Sequence, residues 1–214
     1  MRREPLSERL RAATAARHRA AEASGIMPRL LAGRLDRSAY AALLRNLHAL
    51  YEALEAALDR HAASALVAPV RLPALYRAAA LGRDLDHLWG AGWPGLPLCQ
   101  SMRAYLARIG ALAAGEPGLL AAHVYVRYLG DLSGGQILRE VVARAFGLRD
   151  GRGLAFYSFG EATAQTAKAR LRAGLDALPL DAAGADALVA EALDAFERHI
   201  ELFLELDRLA QGEA

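Results

Sequence analysis

The stretch Arg127-Tyr128-Leu129-Gly130-Asp131-Leu132-Ser133-Gly134-Gly135-Gln136 sets three glycines and one aspartate inside a segment whose apolar spacing is helical. A glycine in a helix interior costs about 1 kcal/mol relative to alanine, so this helix gives up stability for a bare face. Such a face lets the main chain approach a flat ligand, or lets two helices pack closely; the residues alone leave both open. Asp131, in the middle of the segment and near Arg127 and Ser133, suits a polar network, with a solvated helix face as its other reading. His18 and Glu22 stand one helical turn apart, where a carboxylate can orient an imidazole for metal ligation. A lone histidine on an amphipathic helix is ordinarily a surface residue, and none of the six histidines forms HExxH or a paired metal spacing. Thr14, Ala15 and Ala21 around His18 are small enough for a broad planar group to lie beside that helix. Lys168 and Arg172, one turn apart, and Arg11, two turns before His18, are able to hold carboxylates at a cavity rim or to be ordinary solvated charges. Cys99 is the single cysteine, suited to a small apolar core position more than to thiolate ligation.

The elements that must position these groups are helices. Alanine and leucine dominate, β-branched residues are sparse, and apolar residues recur every three to four positions. Breaks at Gly, Pro and Ser divide the chain into helical segments at about 7–23, 38–61, 74–89, 98–114, 117–147, 159–178 and 182–209. The 38–61 segment carries one apolar stripe, Tyr40, Leu43, Leu44, Leu47, Leu50, Tyr51 and Leu54. The 117–147 segment, with its glycines, is expected to bend. The chain reads as an all-α single domain of 214 residues, core about 6–209. With 26 Lys+Arg against 24 Asp+Glu, net charge +2 and no block of like charge, no nucleic-acid surface is expected. One cysteine excludes an internal disulfide framework, and no leader or membrane-spanning run is found, so a cytoplasmic setting is expected.

The residue pattern closely resembles the haem (heme) oxygenase family, helical enzymes that open the porphyrin ring of haem with dioxygen and supplied electrons. The likeness lies in Leu6-Ser7-Glu8 through Thr14 to His18 and Glu22, and in the run from Tyr125 to Gln136, almost letter for letter. Echoes follow at Pro69-Val70, Ala79-Ala80-Leu81 with Asp84-Leu85, Gly153-Leu154-Ala155-Phe156-Tyr157, and Ala195-Phe196-Glu197 onward. The resemblance implies a haem-oxygenase-like helical bundle with haem between a proximal and a kinked distal helix. It makes His18 the axial ligand of the haem iron, with Glu22 as its orienting partner. It makes Asp131 the organiser of proton delivery, lets Gly130 and Gly134 crowd the oxygen, and puts Arg127, Tyr51 and Arg77 in the distal hydrogen-bond network. Arg11, Tyr125, Lys168 and Arg172 are implied as propionate contacts, although one residue is missing between Phe159 and Lys168 relative to the family.

The implied reaction takes haem b as both substrate and cofactor and opens it at a meso carbon, by default the α carbon. Its products are biliverdin, carbon monoxide and ferrous iron. Dioxygen is the oxidant, and since no flavin or nicotinamide fingerprint is present, electrons come from a separate reductase or ferredoxin. A monomer is expected, with a bilin-using photoreceptor as one conceivable downstream partner. A carrier or sensor that keeps the haem pocket without turnover is the alternative; Asp131 favours catalysis.

Overall fold

Two aspartates start the two longest helices. The Asp36 carboxylate accepts from the Ala39 amide at 2.8 Å and caps Arg37–Arg60, and Asp181 accepts from Gly184 at 2.8 Å to cap Ala182–Ala210. The sequence assigns the first of these starts to Ser38; in the structure the Ser38 hydroxyl donates to Asp36 instead. The computed structural model describes residues 4–159 and 161–212, with nine α-helices and no strand among them. These are α1 Leu6–Glu22, α2 Met27–Leu31, α3 Arg37–Arg60, α4 Ala78–Leu88, α5 Gln100–Gly115, α6 Leu120–Val124, α7 Gly130–Phe146, α8 Glu161–Asp176 and α9 Ala182–Ala210. Residues 1–3 and 213–214 of the expected domain, and Gly160 within the expected 159–178 helix, lie outside the described residues.

The long helix α9 is the hub, packing against α1, α5 and α6, while α3 packs on α4 and α5. The predicted α3 stripe is buried from Tyr40 to Leu54 and meets Leu81, Leu85, Met102 and Tyr105 in one apolar core. Ser7 at the start of α1 donates from its amide and its hydroxyl to Asp176 at the end of α8 (2.8 and 3.0 Å), which fixes these two helices end to end.

Two local expectations change. The 74–89 segment is a short 3-10 turn, Pro73–Leu75, followed by α4, because the Glu55 carboxylate on α3 accepts from the amides of Arg77 and Ala78 and so starts α4 from outside. The 117–147 segment opens on a 3-10 turn, Pro117–Leu119, and is interrupted within by one π-helical turn, Tyr125–Leu129, between α6 and α7; the glycines follow it in regular helix. A π turn inserts an extra residue and offsets the faces before and after it. The C-terminal end of α7 is Gly147, at φ +68, a left-handed cap that favours glycine. Among the described residues, no helix is long and apolar enough to cross a membrane.

Candidate functional site

A cleft of about 380 Å³ opens between α1, α7 and α9, with Leu43 and Leu47 of α3 at its base. From α1 it receives His18, Ala21 and Glu22, and from α7 Gly130, Asp131, Gly134 and Gly135. His18 and Glu22 are each about half exposed (51% and 57%), with Nδ1 of His18 3.6 Å from the Glu22 carboxylate. That separation exceeds a direct hydrogen bond but biases Nδ1 toward the carboxylate and leaves Nε2 free for a ligand. The Phe196 ring of α9 sits edge-on to His18 at 5.9 Å and limits its swing.

The glycines divide by what surrounds them. A Cβ at Gly130 or Gly134 would meet nothing within 4 Å, although both residues line the cleft; one at Gly135 would meet the Tyr157 ring at 3.8 Å. The helix therefore presents bare main chain to open space at two positions on the cleft side, and only Gly135 is near a protein neighbour. Close helix packing, one of the two sequence readings, is therefore not what these two glycines serve here.

Beside the glycines stands a buried charge network. Asp131 accepts from Tyr51 Oη and, at 2.8 Å, from Arg127 Nη2; Arg127 Nε donates to Tyr51 Oη at 3.1 Å. The Asp131 and Arg127 side chains are 10% and 13% exposed. Burial raises the Asp131 carboxyl above its ordinary range, and the Arg127 charge and the Tyr51 hydroxyl pull it part of the way back. Burial likewise raises the Tyr51 phenol. The result is a carboxyl at the cleft wall that takes up a proton more readily than a free aspartate, with a phenol and a guanidinium fixing its orientation.

Arg77, which the resemblance includes in this network, has no direct bond to Asp131. Its Nε donates to the carbonyls of Leu75 and Tyr76 (2.9 and 2.8 Å), and its guanidinium lies over the Phe159 ring at 4.2 Å. Its charge still acts on Asp131 and Tyr51, so it joins the network electrostatically and not by a hydrogen bond. The residues implied as propionate contacts do not line this cleft: Tyr125 Oη is 3.0 Å from Thr14 Oγ1, and Arg11 and Arg172 act on the Tyr125 phenol through their charges. Helices α1 and α8 and the π turn thus bring Arg11, Tyr125 and Arg172 to one side; Lys168, half-buried, lies one turn before Arg172 on α8.

Sequence reading assigned no role to His199, yet its Nε2 accepts from Arg127 Nη1 at 3.3 Å and its Nδ1 donates to the Ala195 carbonyl at 2.7 Å. Burial, then the Arg127 charge, pushes this imidazole down to about 3, so it stays neutral and serves as an acceptor. Asp84, almost wholly buried, accepts from the amides of Ala155 and Phe156 (2.8 and 2.7 Å) and so clamps Phe156 and Tyr157 against the cleft. The pairing of these residues crosses 71 and more positions of chain, so neither composition nor periodicity signals it; only the Asp84 echo pointed at it. Cys99 is buried at the start of α5, its thiol pushed up to about 12 by burial, which suits the core role read from the sequence.

The sequence profile of the heme oxygenase family matches residues 4–205. Heme oxygenase 1 of Nostoc sp. is 39% identical over 204 residues, which cover 94% of this chain and 86% of the Nostoc protein. Among solved structures, heme oxygenase-2 from Synechocystis sp. in complex with heme and NO superimposes with a TM-score of 0.93 at 36% identity, covering 97% of this chain and 87% of that one. Heme oxygenase from Leptospira interrogans follows at a TM-score of 0.90 and 36% identity, covering 94% of this chain and 99% of that one.

Proposed function

Because the chain belongs to the haem oxygenase family, we propose that it is a haem oxygenase whose cleft takes haem b as substrate and cofactor. The observation that carries this reading is the pair Gly130 and Gly134, bare toward an open cleft that His18 lines from the opposing helix with Nε2 free. A flat macrocycle with a metal at its centre fits that combination: bare main chain on one face and an imidazole on the other. When bound, haem supplies the iron at which dioxygen is reduced and the ring that is opened, by default at the α meso carbon, to biliverdin, carbon monoxide and ferrous iron.

The chain's own residues have separable tasks. His18 would hold the iron through Nε2, with Glu22 biasing the tautomer. Gly130 and Gly134 exclude side chains from the oxygen side. Asp131, raised by burial, holds and passes protons there, with Tyr51 and Arg127 keeping its carboxylate in one orientation. Arg11, Tyr125, Lys168 and Arg172 take the propionates and so set the rotation of the ring in its plane. At His18 the group would have a neutral imidazole as its protein ligand, with Cys99 buried elsewhere in the core. Electrons are drawn from a separate reductase or ferredoxin in the cytoplasm, by a monomer of one domain.

The test is to add haem, then a reductant and air, and to follow the Soret band. Its decay into a biliverdin spectrum with release of carbon monoxide is expected. A haem band that persists under reducing, aerobic conditions would overturn turnover and leave a carrier or sensor.

A further inference from the structure

Away from the cleft, three buried titratable groups have no part in the reaction described above: Tyr105 on α5, His123 on α6 and Glu191 on α9. Tyr105 and His123 are fully buried and Glu191 is 5% exposed. Burial pushes the Glu191 carboxyl up, but hydrogen bonds from His123 and Arg108 outweigh it and hold the carboxyl down to about 2. Arg108 grips it through Nε at 3.1 Å and Nη2 at 2.5 Å.

An ionised carboxylate only accepts, so the His123 Nε2–H donates to Glu191 Oε1, 3.1 Å away. Burial keeps His123 neutral, and a neutral imidazole protonated at Nε2 has its lone pair on Nδ1. The Tyr105 hydroxyl, 2.9 Å from Nδ1, therefore donates to it. The carboxylate thus sets the direction of every bond in the array, as the third member of a hydrolytic triad sets its histidine. The phenol proton faces a base, and the proton already on that base faces a carboxylate. The Tyr105 ring meets His199 edge-on at 5.3 Å, and His199 lines the cleft. Arg198, paired with Asp194, lies 5.8 Å from the same ring.

We propose that Tyr105 is a redox-active tyrosine, a donor one aromatic contact from the cleft that surrenders an electron to a high-potential one-electron oxidant while handing its proton to His123. The Tyr105 O–H bond breaks; the electron leaves to the oxidant, which is reduced by one, and the proton passes to His123 Nδ1. His123 becomes an imidazolium held by the Glu191 carboxylate, which stays ionised beside Arg108, and the ring becomes a neutral phenoxyl radical. Without the base, a buried phenol would have to keep its proton and become a radical cation in a low-dielectric core, a far less accessible state. Only the natural source of the oxidant, oxygen chemistry in the cleft, rests on the function proposed above. The array itself needs no ligand there, and its role is to intercept oxidising equivalents before they attack the cleft walls.

The experiment uses the haem-free chain with photogenerated tris(bipyridine)ruthenium(III) as oxidant, read by transient absorption and electron paramagnetic resonance of the tyrosyl radical. The unsubstituted chain is expected to give a radical whose formation slows in deuterated buffer. Tyr105→Phe, which keeps the ring packing, is expected to lose most of the signal. Glu191→Gln and His123→Gln, each checked for helicity by circular dichroism, are expected to cut the yield toward that of Tyr105→Phe while retaining the phenol. A radical at undiminished yield in Tyr105→Phe, or no tyrosyl radical in the unsubstituted chain, would overturn the assignment. Loss in Tyr105→Phe with full yield in Glu191→Gln and no deuterium effect would overturn the proton relay. Because no haem is present, none of these outcomes depends on the reaction at the cleft.

Discussion

His18 and Asp131 face one cleft from two helices, and their substitutions are expected to fail differently. His18→Ala removes an exposed imidazole, so the fold is kept, while the histidine-ligated absorption spectrum of added haem is lost and returns with exogenous imidazole. An unchanged spectrum would place the ligand elsewhere. Asp131→Ala leaves the Arg127 guanidinium buried beside only a phenol and a neutral imidazole, which destabilises the chain by roughly 3 kcal/mol. That chain is expected to bind haem and yield little biliverdin; normal product at a normal rate would refute the proton-delivery role. Lys168 is the only lysine in the sequence, so an amine-reactive reagent has that side chain and the chain terminus to modify. Bound haem is expected to protect Lys168, and labelling that ignores haem, read by peptide mass, would remove it from the propionate set. His18, Glu22, Asp131 and the glycines were legible as residues because their types and spacing are unusual for a helix. His199 was not, because a histidine among apolar residues on a long helix has the same local pattern whether it packs or accepts a bond from Arg127.

At the scale of the element, α7 and the π turn before it are the informative pair. Gly130→Ala and Gly134→Ala each add a methyl that meets no protein atom, so each is expected to stabilise the haem-free chain by up to about 1 kcal/mol through helix propensity. The same methyl intrudes on the cleft, and haem affinity or biliverdin yield is expected to fall. Melting midpoints that drop in both haem-free variants would mean that the glycines serve packing. Gly135→Ala meets Tyr157 at ordinary contact distance and is expected to lower haem affinity less than either of the other two. The existence and approximate span of nearly every helix were readable from apolar period and breakers. The position of the irregularity was not: the glycines signal permissiveness, whereas the extra residue of the π turn depends on how Tyr125 to Leu129 are held by their neighbours. The true starts of α3 and α4 follow the same logic, one set by Asp36 next to it in sequence and the other by Glu55 from a different helix.

For the molecule as a whole, the buried imidazoles govern acid stability. His199 is held down to about 3 and His123 is lowered, both by burial first. In each case the unfolded chain binds the proton more tightly, so the stability they contribute is complete above pH ~6.5 and is lost as pH falls below it. Each neutral imidazole then removes up to ~1.4 kcal/mol per pH unit. Glu191 adds a second loss between its ordinary range and about 2. Asp131, Asp84 and Glu55, all raised by burial, run the other way and return stability once the pH drops through their folded values. Melting temperature is therefore expected to fall between pH 7 and 5, and His199→Gln is expected to flatten that slope. A slope unchanged by the substitution would locate the acid sensitivity elsewhere.

Sequence alone determined that this chain is helical, which residues could ligate a metal or hold a proton, and which family it resembles, because periodicity, helix breakers and rare residue combinations are local properties. Tertiary structure decided that Gly130 and Gly134 look onto open space, that Asp131 is buried between Tyr51 and Arg127, and that His199, Asp84 and the Tyr105–His123–Glu191 array exist as interacting groups at all. Those facts depend on residues from distant parts of the chain meeting in a low-dielectric interior, where a hydrogen bond or a charge acquires its direction and strength from what surrounds it.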